Sequence, residues 1–117
     1  MKDLSQAEPT RYVRIWRGRT TTVMADAYET YWLANGLKPL QDKGALAIQM
    51  LRDDQVAETE FVTISYWTSL EAMTGEEGGD PHLVHHLDRD PEFLLEVPRT
   101  VQILKVLATG DRRDATP

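Results

Sequence analysis

The stretch Glu60-Phe61-Val62-Thr63-Ile64-Ser65-Tyr66-Trp67-Thr68-Ser69-Leu70-Glu71-Ala72-Met73 decides the fold. Its first half concentrates Phe61, Val62, Thr63, Ile64, Tyr66 and Trp67, β-branched and aromatic side chains that suit a pleated surface covered on both faces. A central strand is therefore expected over 60–67. Thr68 or Ser69 then offers a hydroxyl to an amide of a first helical turn, and Glu71 puts negative charge at the positive end of the helix dipole. The strand ends where a helix begins.

Upstream, residues 11–19 place Tyr12, Arg14, Trp16 and Gly18 on one face of an expected strand and Val13, Ile15 and Arg17 on the other, so both faces carry apolar groups. After the hydroxyls of Thr20, Thr21 and Thr22, Met24, Ala27, Tyr28, Tyr31 and Trp32 recur at three- and four-residue spacing. This is the stripe of an amphipathic helix, which Asn35-Gly36 would close. Residues 37–44 read as irregular, 45–52 as a second strand, and Asp53-Asp54-Gln55 as the turn into the third. Downstream, Asp80-Pro81 and Asp90-Pro91 each set a capping carboxylate before a proline at the first helical position, which predicts short helices over 81–87 and 91–97. Pro98 ends the second, and 100–107 is the last strand. The order is βαββαβ with extra helical turns, a ferredoxin-like α+β fold with a four-stranded antiparallel sheet. Helices cover one face of such a sheet. Strands apolar on both faces would leave more exposed apolar surface than monomers carry, so a homodimer with two sheets closed over each other is expected.

A chain of 117 residues suits one domain, expected over 11–107 with loose ends at 1–10 and 108–117. Its 13 basic and 19 acidic residues give a net charge of -6, which repels phosphate backbones and anionic membrane surfaces, so neither nucleic acid nor membrane is an expected partner. The absence of cysteine excludes a disulfide framework, a thiolate nucleophile and Cys-ligated metal. Residues 1–6 lack the apolar core of a leader, and no apolar run approaches the roughly 20 residues of a membrane span, which makes a cytoplasmic location the expectation.

A strand ending in Tyr66-Trp67 and followed by Thr68-Ser69-Leu70-Glu71-Ala72 resembles the middle of the antibiotic biosynthesis monooxygenase (ABM) domains, in the dimeric α+β barrel superfamily. Val13-Arg14-Ile15-Trp16-Arg17-Gly18, Ala25-Asp26-Ala27-Tyr28-Glu29 and Phe93-Leu94-Leu95-Glu96 fall in the matching order, and the likeness spans 11–107. The resemblance implies a homodimer and a substrate cavity between sheet and helices. It also marks Trp67, which in quinone-forming relatives works with an Asn four residues earlier; here that position is Thr63, whose hydroxyl lacks the paired donor and acceptor of an amide. Heme-degrading relatives use a helix His, which falls on His86, and a helix Trp, which falls on Glu76; where they have an Asn in the first strand, Arg14 and Trp16 occupy the neighbourhood.

The three histidines, His82, His85 and His86, lie within five residues. On a helix, His82 and His86 would share a face, a spacing that can hold a divalent metal, but only Asp80, Asp88 and Asp90 are near enough in sequence to be a third ligand and each has a capping role; no metal site is expected. An imidazole can instead take a phenolic proton, the step that a cofactor-free oxygenase needs before oxygen attacks the carbanion. The candidate catalytic set is therefore His86, His82, Trp67 and Thr63. Arg14, on the Trp16 face, suggests an anionic or carbonyl ligand group, and Trp16, Tyr66 and Trp32 join it as candidate ligand contacts. The leading expectation is a monooxygenase without bound cofactor acting on a small aromatic or polyketide-like molecule. A non-catalytic ligand-binding dimer and a heme-binding or heme-degrading protein acting through His86 are the alternatives.

Overall fold

The computed structural model describes residues 9–75 and 78–110. The elements are β1 (Tyr12–Thr21), α1 (Ala25–Asn35), α2 (Leu37–Lys43), β2 (Ala47–Asp54), β3 (Glu58–Trp67), α3 (Leu70–Thr74), α4 (Asp90–Phe93) and β4 (Gln102–Lys105). The strands form one antiparallel sheet in the order β2-β3-β1-β4, the ferredoxin-like arrangement expected of the sequence. Most of the residues expected to be loose at the two ends lie outside the described residues.

Register fixes which side chains share a face. Trp16 pairs with Thr63, Gly18 with Phe61, Arg14 with Ser65, and Met50 with Thr63. Along β3 burial alternates strictly: Thr59, Phe61, Thr63, Ser65 and Trp67 are buried, while Glu60, Val62, Ile64 and Tyr66 are only partly covered. The helices therefore cover the odd-numbered face of β3, and the face expected to be covered as well is only partly covered in the single chain. The core between sheet and α1 is aromatic. Tyr28 stacks on Trp16 (centroids 6.5 Å apart, 25° between planes), meets Phe61 edge-on at 5.1 Å, and touches Phe93 at 5.6 Å. Gly18 is glycine because the Trp16 ring folds over it: a Cβ there would lie 2.4 Å from the indole.

Ser69 caps α3 as its hydroxyl chemistry requires, accepting from the Ala72 amide at 3.2 Å. Three stretches differ from expectation. Residues 37–44 are helical, not irregular: Pro39 sits at the third position of α2, where an amide would have no partner in the helix, and Gly44 closes the helix at φ 101° with its amide donating to the Gln41 carbonyl. The helix expected over 81–87 does not form. Gly78 and Gly79 have positive φ, Asp80 accepts from the His82 amide and stops after one turn, and the backbone then pairs with the approach to β4 through Val84 N–H to Arg99 O and Val101 N–H to His82 O. The helix expected over 91–97 stops at Phe93 because Leu94 turns extended and the Leu95 amide donates to the Arg19 carbonyl of β1. In the last two cases, backbone groups distant in the sequence supply the partners.

Candidate functional site

One hollow lies between the helices and the inner face of the sheet, about 110 Å³ in volume. Arg14, Trp16 and Thr63 form its floor; Tyr28 and Trp32 of α1 form one wall. The α1–α2 elbow, from Gly36 to Lys43, forms a second, and Val84, His85, Leu87 and Asp90 close it from the 81–90 stretch. Gly36 belongs to this construction, since a Cβ there would lie 2.5 Å from the Trp32 ring that it backs. A wider groove of about 440 Å³ at the far end of β1 is lined by Arg17, Arg19, Glu60, Glu96 and Arg99 and has no aromatic wall.

Two of the charge-bearing groups in the cavity lining, Arg14 and Asp90, are in contrasting states. Arg14 is largely desolvated, which pulls its pKa down, and no described residue gives it a carboxylate or a hydrogen bond. Three arginines outside the cavity are paired: Arg19 with Glu58 and Glu96, Arg52 with Asp26, Glu29 and Asp54, and Arg89 with Glu92. Asp90 is 3% exposed and fully engaged, accepting from the Tyr28 hydroxyl (3.2 Å) and the Leu87 amide (3.1 Å). Burial raises its pKa, and the two hydrogen bonds and nearby His86 oppose that rise. Tyr28 is held protonated, first by burial and then by the charge of Asp90.

The residues singled out in the sequence are dispersed. Arg14, Trp16, Trp32 and Thr63 line the cavity. Thr63 Oγ1 donates to Met50 Sδ at 3.1 Å. Trp67 does not line it: fully buried, it donates its indole N–H to Ser65 Oγ at 2.8 Å. Tyr66 points from the opposite face, where its hydroxyl donates to Gln49. All three histidines are exposed, and of them His85 alone lines the cavity. Without a helix over 81–87, the shared face of His82 and His86 does not exist. His82 Nδ1 instead lies 3.1 Å from Asp80, and among the described residues no three His, Asp or Glu side chains converge. Glu76 lies outside the described residues. Tyr28, His85 and Asp90 are the cavity groups that the sequence reading did not select. Asp90 looked like a cap, and its bond to Tyr28 spans 62 positions, so only the folded chain brings the pair together.

No family profile matches the sequence, and no curated protein does. Among solved structures, the chain is similar to a Bacillus cereus protein provisionally classed as an antibiotic biosynthesis monooxygenase. Identity is 12%, the TM-score is 0.60, and the match covers 88% of this chain and 99% of that one. The chain shares the fold of that protein. No helix among the described residues is long and apolar enough to cross a membrane.

Proposed function

We propose that this ABM-fold chain is a homodimeric small-molecule protein that holds a small aromatic or polyketide-like compound in its cavity and oxygenates it without a bound cofactor. The enclosure carries this reading: aromatic walls from Trp16, Tyr28 and Trp32 around a floor that contains one desolvated cation, Arg14. Such walls take a ring by stacking, and a guanidinium pairs with an anionic or carbonyl group carried on it. His85 and Asp90 are the cavity groups able to accept a phenolic proton, in preference to the outlying His82 and His86. Trp67 and Thr63 serve as positioning residues that fix the floor. The electrons come from the substrate: a phenol loses its O–H and a ring C–H, one atom of O₂ becomes the new carbonyl oxygen, and the other leaves with both hydrogens as water. A hollow of about 110 Å³ suits one ring, so a polycyclic ligand extends beyond it. Oxygen uptake with a panel of hydroxylated aromatics tests the reaction. Uptake lost in Asp90→Asn or His85→Ala supports it, and binding without uptake across the panel refutes it.

The dimer rests on the partly covered face of the sheet, where Val13, Ile15, Val62, Ile64 and Tyr66 adjoin Leu51 and Leu104, the last two 45% and 46% exposed. Sedimentation of a monomer at micromolar concentration would overturn it. One observation favours the second reading, a non-catalytic ligand-binding dimer: Thr63 and Trp67, the pair that the resemblance marks, both donate inward, to Met50 and Ser65. Heme binding through His86 has little support, because that side chain lies outside the lining and drug-sized ligands already need roughly 300–1,000 Å³. A hemin titration with no ligated Soret band would remove it.

A further inference from the structure

We propose that the cavity's ligand is a one-ring aromatic acid whose carboxylate is held by Arg14. The inference rests on the reading of this hollow as a ligand site and adds the charge and size of what fills it. Nineteen acidic residues are available to the chain, yet none among the described residues pairs with the guanidinium that lines the cavity, although Arg19, Arg52 and Arg89, outside it, all have carboxylate partners. Removing a guanidinium from water without an anion is costly, and a ligand carboxylate offsets that cost with two parallel N–H···O bonds. Asp90, the carboxyl group in the same hollow, is not paired with Arg14; its hydrogen bonds come from Tyr28 and Leu87.

Spacing along β1 gives the length. Arg14, Trp16 and Gly18 follow one another on the inner face at about 6.6 Å intervals, two residues of strand rise each. Tyr28 stacks on Trp16 and meets Phe61, the partner of Gly18, so the Tyr28–Asp90 pair stands toward the Gly18 end of the floor and Arg14 at the other. A single ring laid on Trp16 thus has a cation at one end and the hydrogen-bonded Tyr28–Asp90 pair at the other. The volume of about 110 Å³ lies below the roughly 150 Å³ that accepts benzene, which limits the enclosed part of the ligand to one ring.

The test uses the full chain with 4-hydroxybenzoate and its uncharged isostere 4-hydroxybenzamide, titrated calorimetrically at about 0.15 M salt to screen surface charge. The acid is expected to bind at least about tenfold more tightly than the amide, and Arg14→Met to bring the two within about twofold while still melting cooperatively. Equal binding of acid and amide to the parent protein overturns the carboxylate assignment and leaves the cavity as a ligand site. A preference for the acid that survives in Arg14→Met overturns it too, by placing the anion elsewhere. If neither compound binds, both the inference and the aromatic-ligand reading fall.

Discussion

Replacing Ser65 by Ala isolates the role of Trp67. Both side chains are 0% exposed, and Ser65 Oγ is the acceptor for the indole N–H at 2.8 Å. Deleting the hydroxyl strands a donor where water cannot reach it, which costs about 1–3 kcal/mol. At about 4 °C per kcal/mol for a chain of this length, the melting temperature should fall by roughly 4–12 °C. The cycle of Ser65→Ala, Trp67→Phe and the double variant separates this loss from the loss of indole packing: with no N–H to strand, Ser65→Ala should cost about 1–3 kcal/mol less in the Trp67→Phe background. Urea unfolding monitored by circular dichroism measures all four proteins. Because neither side chain lines the cavity, ligand affinity should stay within about twofold in Ser65→Ala. Equal costs of Ser65→Ala in the two backgrounds, or a large loss of affinity with little loss of stability, would refute the structural role of Trp67.

Three further substitutions probe the cavity. Gly36→Ala sets a Cβ 2.5 Å from the Trp32 ring, well inside the roughly 3.5–4.0 Å of carbon contact, so the ring must move into the hollow; a loss of about 1–3 kcal/mol accompanied by weaker ligand binding is expected, and unchanged binding would contradict this wall. Arg14→Met removes a desolvated cation that has no partner among the described residues, and should raise apo stability by about 0.5–2 kcal/mol while abolishing anion preference; a lower melting temperature in the absence of ligand would contradict it. Burial, the largest influence on Asp90, raises its folded pKa above the unfolded value near 3.9, so its protonated form favours the fold. That contribution is fully present below the unfolded pKa and is lost as pH rises through the folded one. The melting temperature of the parent minus that of Asp90→Asn should therefore decrease from pH 4 toward neutrality, and a difference that grows with pH would show a depressed pKa instead.

The sheet was legible in the sequence because its signals are local. The alternation of Thr59, Phe61, Thr63, Ser65 and Trp67 against Glu60, Val62, Ile64 and Tyr66 sets two faces by parity, and the same parity puts Arg14 beside Trp16. Parity also puts Tyr66 opposite Trp67, so its aromatic ring alone was a poor guide to the cavity. The 81–97 region was misread because Asp-Pro pairs signal a helix start without saying whether the helix continues. There the backbone donors of Val84 and Leu95 found carbonyls of Arg99 and Arg19, long-range partners that no local pattern encodes. Pro39 misled in the other direction, since a proline in the first turn of a helix removes only an amide that was already unpaired. The bond from Tyr28 to Asp90 had no sequence signal beyond two residue types with separate local explanations.

The three tryptophans allow the cavity assignment to be tested directly, because they occupy different places: Trp16 and Trp32 line the hollow, and Trp67 lies in the core beside Ser65. Titrating isotope-labelled protein with 4-hydroxybenzoate and following the three indole N–H signals should shift those of Trp16 and Trp32 and leave that of Trp67 in place. A shift confined to Trp67, or saturable binding that moves none of the three, would contradict the placement of the ligand site.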